Sequence, residues 1–294
     1  MRGRETDAVD LEALQKRQDE AFGLTRAAPI TTARGAARFL ARVAIALRYG
    51  PTPSLPLASL YRALAGPRSD KAAMAAAIAL TNRLLGEAHG VEVHVIAERV
   101  TLVDRSLLPA LYVLVRRGRA LDDLRGLSAD ARGALSVLRE RREASAGDVR
   151  RHLGLRPDPR HDPAYAALGE LARLLLVDRG PFEVPKSGIP YLSREGYPYH
   201  PLHEAHPELV AEAARRSLTG AADAFLQAYL DGAEFARVRT LARLFKAFLA
   251  PAERRTPHTP TMSGTWPSID EGEAMMTSHR TLPIDPFRNE IVYI

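Results

Sequence analysis

Over most of residues 31–250 apolar side chains recur every three to four positions, the period of helices with one buried face, and two stretches change to strand-like patterns. Phe39, Leu40, Val43 and Leu47 keep the helical period through ARGAARFLARVAIALRY, with Thr31 and Thr32 ahead of it. GPTPSLPL breaks that helix. ASLYRALAG then predicts a short helix with Gly66 just past its end, and Lys71 to Glu87 a longer, alanine-rich one. VEVHVIAERVTLVD alternates and is β-branched, which predicts a strand or hairpin. Helical spacing returns from Ser106 to Arg117 around Leu108, Leu111, Tyr112 and Val115.

In the next stretch Ser128 is a good N-cap for a helix lined by Ala131, Leu135 and Leu138. SAGD at 145–148 reads as a capping box, opening a two-turn helix with Val149 and Leu153 inward and Gly154 at its end. Pro163 suits the first turn of a third helix, in which Tyr165, Leu168, Leu171, Ala172 and Leu175 keep the period; Tyr165 is thus expected in the core. LLLVDRGPFEVPKSGIPYLSREGYPY predicts two short strands around a Pro/Gly-containing loop. Helix, turn, short helix, turn, longer helix and hairpin is the order of a winged helix, which serves DNA binding and also protein–protein contact.

Further on, Pro207 begins a helix to Arg216 with Leu209, Val210 and Ala213 inward. Thr219 is the expected cap of another, lined by Phe225, Leu226 and Tyr229, and FARVRTLARLFKAFLA adds a last helical segment. After Ala250 the period is lost in a segment rich in Pro, Thr and Ser. It reads as an extended tail pinned by the single tryptophan, Trp266, with RNEIVYI as a short terminal strand. The expected fold class is mainly α with small β-hairpins, arranged as tandem winged helix-turn-helix domains. The expected division is a flexible arm over 1–28, loose or marginally helical, a helical, winged-helix-like domain over 29–127, a central winged helix over 128–200, a partial winged-helix unit over 201–250 and a Pro-rich tail over 251–294.

Composition narrows the chemistry. Apolar residues make up 46% and charged residues 26%, as in a folded soluble protein. No apolar run approaches the roughly 20 residues that span a bilayer, and the N-terminus lacks the apolar core of a signal peptide, so a cytoplasmic, nucleoid-associated location is expected. With no cysteine, disulfides, thiolate zinc sites and cysteine nucleophiles are excluded. The net charge of +6 is uneven: residues 31–127 carry fourteen Arg/Lys against seven Asp/Glu. That bias suggests a polyanionic partner, with double-stranded DNA first, although only four of the 41 basic residues are lysine, which GC-rich coding sequence also produces. The candidate phosphate contacts are Arg34, Arg38 and Arg42, four apart on one helix face, and Arg150, Arg151, Arg156, Arg160, His161, Arg173 and Lys186 on the central winged helix and its hairpin. Asp158, Asp162 and Glu170 crowd the same face.

RFLARVAIALRYG…LPLASLYRALAG, RVTLVDRSLLPALYVL, the winged-helix block, GYPYHPLHEAHPELVAEA and FLQAYLDGAEFARVRTLARLF occur in this order. Together they resemble the tandem winged-helix proteins related to the bacterial crosslink-repair DNA glycosylases, the AlkZ/YcaQ family, over roughly residues 30–250. The resemblance implies several winged helices forming a concave DNA-binding body and, in the glycosylase members, hydrolytic removal of an alkylated base. Those members position the attacking water with a Gln-x-Gln motif. Here the glutamines are Gln15, Gln18 and Gln227, and no two flank a single residue. A glycosylase also needs a protected carboxylate or polar pair. Asp104 is the best isolated candidate, with capping of the following helix as its plainer role. Past LARLF the family pattern would continue into another recognition helix and wing, where this chain enters its tail.

Three functions therefore stand: a non-catalytic winged-helix DNA-binding protein, an active glycosylase, or a protein-interaction module or transcriptional regulator. No Walker motif, dinucleotide-binding turn, His-Glu-x-x-His or Gly-x-Ser-x-Gly is present, and no cofactor, small-molecule partner or membrane partner is implied. His200, His203 and His206 in GYPYHPLHEAHPEL suggest a metal site at first sight. Pro198, Pro201 and Pro207 interrupt that segment, so no shared helix aligns the rings, and a hinge between two units is the favoured reading.

Overall fold

Short polar side chains set where the helices begin. Asp10 caps α1 (Leu11–Ala21), Thr32 caps α2 (Ala33–Val43), Ser59 caps α3 (Leu60–Ala65) and Asp70 caps α4 (Lys71–Gly86). Each accepts a hydrogen bond from an N–H of the first turn, which would otherwise lack a partner. Ser128 caps α6 (Ala129–Arg141) in the same way. Ser145 and Asp148 form a reciprocal capping box on α7 (Ala146–Leu153), and Asp162 caps α8 (Pro163–Arg173). The remaining helices are α5 (Leu108–Arg116), α9 (Leu202–Ala205), α10 (Pro207–Ala213) and α11 (Leu218–Ala233). Ser217, not Thr219, caps α11. This computed structural model describes residues 10–25, 27–51, 55–68, 70–96, 99–156, 162–182 and 196–237, together with Leu241, Leu244 and the strand Met275–Met276.

The chain is mainly helical and carries a mixed sheet. Its strands are β1 (Ile45–Leu47), β2 (Ala58–Ser59), β3 (Gly90–Ile96), β4 (Arg99–Asp104), β5 (Val177–Arg179) and β6 (Tyr199–Pro201), in the order β2-β1-β4-β3-β5-β6. β1 and β2 are parallel, and the other neighbours are antiparallel. A separate pair joins β7 (Ala236–Arg237) to β8 (Met275–Met276).

The same arrangement occurs twice. In the first unit α2, β1, α3, α4, β3 and β4 follow one another, and β4 pairs with both β1 and β3. In the second the order is α6, a single bridging residue Ala144, α7, α8, β5 and β6, and β6 pairs with both Ala144 and β5. The first helices share a sequence repeat: Ala33-Arg34-Gly35-Ala36 in α2 matches Ala131-Arg132-Gly133-Ala134 in α6. In register with it, Ala33, Ala36, Phe39 and Leu40 are buried, as are Ala131, Ala134, Val137 and Leu138. Equivalent strands join the units, since β3 pairs antiparallel with β5 through Glu92 and Arg179. A sheet read outward from that pair meets the same strands on either side, so an approximate two-fold axis relates the units. The third helices cross over accordingly. α8 lies against β3 of the first unit, and Asn82 of α4 exchanges two hydrogen bonds with the backbone of Phe182 just beyond β5.

Two apolar clusters fill the interior. One gathers α2 to α5, β1, β3 and β4, and takes in Leu202, Leu209, Phe225 and Tyr229 from α9 to α11. The other is made by α6 to α8 with Val177 and Tyr199.

Three local expectations are corrected. The helix predicted through Tyr49 stops at Val43: Ala44 turns to φ 58°, and Ile45–Leu47 becomes a strand buried between β4 and β2. Its alternation is too short to stand out from the helical period, and strand partners on both sides override local propensity. The expected loose arm contains α1, docked on α11 by buried Leu14, Gln18 and Ala21. Gln18 Nε2 donates to the carbonyls of Ala233 and Phe235 at 3.1 and 2.7 Å, which satisfies the end of α11. The partial unit expected over 201–250 supplies helices to the first core instead. α11 approaches α2 so closely that a Cβ on Gly232 would lie 2.7 Å from Val43 Cα. Most of FARVRTLARLFKAFLA, Trp266 and the RNEIVYI segment lie outside the described residues.

Candidate nucleic-acid interface

Polar residues are concentrated at the seam between the units. Glu92 on β3 is completely buried and pairs with both Arg48, just after β1, and Arg179 on β5. Tyr197 covers this triad: its ring centroid is 4.0 Å from the guanidinium carbon of Arg179 and 5.2 Å from that of Arg48, and its hydroxyl accepts from Arg48 at 3.3 Å. Phe182 packs against the same ring at 5.0 Å. Two guanidiniums on one carboxylate leave the seam net positive. His94, two positions along β3 on the Glu92 side, is 6% exposed. Burial first, then the charge of Arg179, pushes its pKa down to about 4, so it is neutral at physiological pH.

The histidines lie on the opposite edge of β5. Asp178, 7% exposed, is the ladder partner of His200. His206 Nε2, at the start of α10, is 2.9 Å from Asp178 Oδ2, and His200 Nδ1 makes a 3.4 Å ion-pair contact with Oδ1. His200 Nε2 also meets Glu143 at 3.0 Å, just past α6. Burial pushes the Asp178 carboxyl upward, but its contacts with His200 and His206 outweigh it and hold the pKa below its usual value. The Asp178 contact raises the pKa of His200. His203 turns to Glu204 at 3.7 Å. Asp178 thus ties β5, β6 and α10 together through ring nitrogens already engaged by carboxylates. Among the described residues no group of three or more His, Asp or Glu side chains has a metal-holding arrangement.

The expected phosphate contacts divide. Arg34, Arg38 and Arg42 all lie on the exposed face of α2, and Arg42 also donates to the carbonyl of Ala21 at the end of α1. Arg151 and Arg156 are exposed, with Arg151 2.6 Å from Asp148. Arg173 is half-buried at the end of α8. Arg150 is corrected: it is buried and ion-paired with Asp162, the cap of α8, so it fastens α7 to α8 and does not face solvent. Arg160, His161 and Lys186 lie outside the described residues. Sequence reading missed Arg132, Arg139, Arg141 and Arg142, which extend the exposed basic surface along α6 and past its end. For Arg132 the signal was available, because it falls between the apolar positions Ala131 and Ala134 of that helix. Tyr165 is half-buried rather than in the core.

The third helix of the second unit presents little to a groove. Along α8 only Ala166 is exposed, and Glu170 is occupied by the N–H of Ser128 at 2.9 Å. Asp104 closes the turn before α5, accepting from the N–H and hydroxyl of Ser106 at 3.0 and 2.6 Å. Gln227 is exposed on α11 and donates to Asp231 at 2.8 Å. No helix among the described residues is long and apolar enough to cross a membrane. No protein-family model, curated protein or solved structure matches this chain.

Proposed function

We propose that this chain is a tandem winged-helix protein that binds double-stranded DNA, chiefly through its phosphates. The observation that carries this reading is the repeated order of helix, strand, helix, helix and strand pair, with the same pairing in both units. Exposed arginines on α2, α6 and α7 supply the cations. Phosphate contact is favoured over base reading because α8 offers a groove almost no polar side chain. A tandem winged-helix plan is also what the resemblance to the crosslink-repair glycosylases implies. Here Gln18 secures a helix end and Asp104 closes a turn, so neither is assigned to catalysis.

The test is equilibrium binding of a duplex across a salt series. Log affinity should fall linearly with log salt, by about 0.9 per neutralised phosphate. Absence of salt dependence would refute the proposal. Incubation with alkylated or crosslinked duplex should release no abasic sites; their appearance would restore the glycosylase reading.

One observation favours a second reading. Met74 and Ile78, one turn apart on α4, are 49% and 36% exposed on the third helix of the first unit. An apolar surface there suits a protein contact. A stable complex with an acidic protein, with no affinity for duplex, would select it.

A further inference from the structure

One histidine ring lies between two carboxylates in a way that demands an extra proton. His200 of β6 points Nε2 at Glu143, 3.0 Å away just past α6, and Nδ1 at Asp178 of β5, 3.4 Å away. A carboxylate only accepts, so each nitrogen needs its own N–H, and a neutral imidazole has one. Only the imidazolium satisfies both sides. The ring is also closely seated, since a Cβ on Gly180, just past β5, would lie 2.9 Å from its Cε1. Among the described residues, the elements packed on β6 bring few other charges to it. α6 brings Glu143, and β5 brings Asp178, whose second oxygen is 2.9 Å from His206 Nε2 of α10. On α9, His203 and Glu204 face each other at 3.7 Å. Arg179, next along β5, is turned to Glu92 on the other side of the sheet.

The two carboxylates respond differently when the proton leaves. Asp178 is 7% exposed and also held by His206, so it stays in place. The side chain of Glu143 is 60% exposed and swings freely into water. A neutral His200 keeps its single N–H on the buried carboxylate, where an unpaired charge is costly, and lets Glu143 go. The Asp178 contact, against the opposing effect of burial and with Glu143 adding to it, raises the pKa of His200 above the ordinary 6.5. Glu143 follows directly on Arg141 and Arg142, both exposed at the end of α6, where Arg141 also meets His152 at 3.4 Å. With His200 charged, the His200–Glu143 pair is neutral and the arginines present their full charge. With His200 neutral, an uncompensated carboxylate stands beside them.

We infer that the His200 proton is a switch on the basic end of α6: its loss frees the Glu143 carboxylate beside Arg141 and Arg142 and weakens their hold on phosphate. This rests on the duplex-binding reading above and adds to it a means of regulation. The experiment follows the histidine ring signals of the full chain by NMR from about pH 6 to about pH 9, with His200→Gln identifying the resonance. Duplex affinity is measured over the same range at constant salt for the native chain, His200→Gln and Glu143→Gln, with circular dichroism to check the fold. His200 should titrate above 6.5 in the native chain and at lower pH in Glu143→Gln. Native affinity should fall about two- to fourfold as pH rises, the effect of one unit charge about 5–10 Å from a phosphate in water. His200→Gln should bind weakly throughout, without that step. Glu143→Gln at high pH should bind as the native chain does at low pH, because the two carry the same local charge. A His200 resonance that titrates at or below 6.5, or a native pH step that persists in His200→Gln, overturns the inference while duplex binding stands. Absence of duplex binding by the native chain at every pH overturns both.

Discussion

At the scale of single residues, the consequential group is Glu92. Its carboxylate lies between two buried guanidiniums, and removing it leaves both charges without their counterion. Glu92→Gln should therefore cost about 3–5 kcal/mol of stability, measured by urea denaturation. His94 makes the same seam sensitive to acid. Its folded pKa of about 4 lies below the ordinary 6.5, so between these values the unfolded chain binds a proton that the folded protein refuses. Its contribution is complete above about pH 6.5 and falls away toward pH 4, by on the order of 3 kcal/mol. His200, with a raised pKa, acts in the opposite sense: its contribution is present below about 6.5 and lost as pH climbs through its folded value. Urea midpoints taken from pH 6.5 to 4.5 should fall for the native chain and stay nearly level for His94→Leu. Arg150 and Arg151 make a third contrast. Arg150→Ala should reduce stability and leave the salt slope of duplex binding unchanged, whereas Arg151→Ala should reduce the slope and barely alter the melting temperature. The reason is that Arg150 is spent on Asp162, whereas Arg151 stands in solvent.

At the scale of elements, contact between α11 and α2 reverses a general rule. Glycine within a helix is ordinarily improved by alanine by up to about 1 kcal/mol. At Gly232 the added methyl meets the backbone of Val43 and the carbonyl of Arg42, neither of which can swing aside. Gly232→Ala should instead destabilise by about 1–3 kcal/mol, read from the thermal midpoint. Helix starts were the most legible feature of the sequence, since Ser128, the Ser145–Asp148 box and Pro163 act within one turn of themselves. The docking of helix α1 was not legible. Its polar sequence reads as a loose or marginally helical arm, and its docking comes from Gln18 reaching carbonyls more than two hundred positions away. The candidate interface shows the same division. Exposed arginines can be found from helical spacing, but the burial of Arg150 depends on where the next helix begins.

For the whole molecule, the sequence alone determined the helical character, the helix–helix–helix–hairpin order of the second unit, the basic bias of the N-terminal half and the absence of thiol chemistry. These follow from local capping, from periodicity and from composition, each of which acts over a few residues or none. The tertiary structure decided the rest. VEVHV alternates as a strand with one wet face should, yet its polar side is dry, because Arg179 and Tyr197 of another unit close over Glu92. IAL carries no distinct pattern of its own and becomes a strand because two others flank it. The approximate two-fold relation rests on one antiparallel pair between strands some ninety positions apart, Glu92 with Arg179. Such pairings are selected by burial and charge in the assembled fold, and a reading that moves along the chain meets each partner alone.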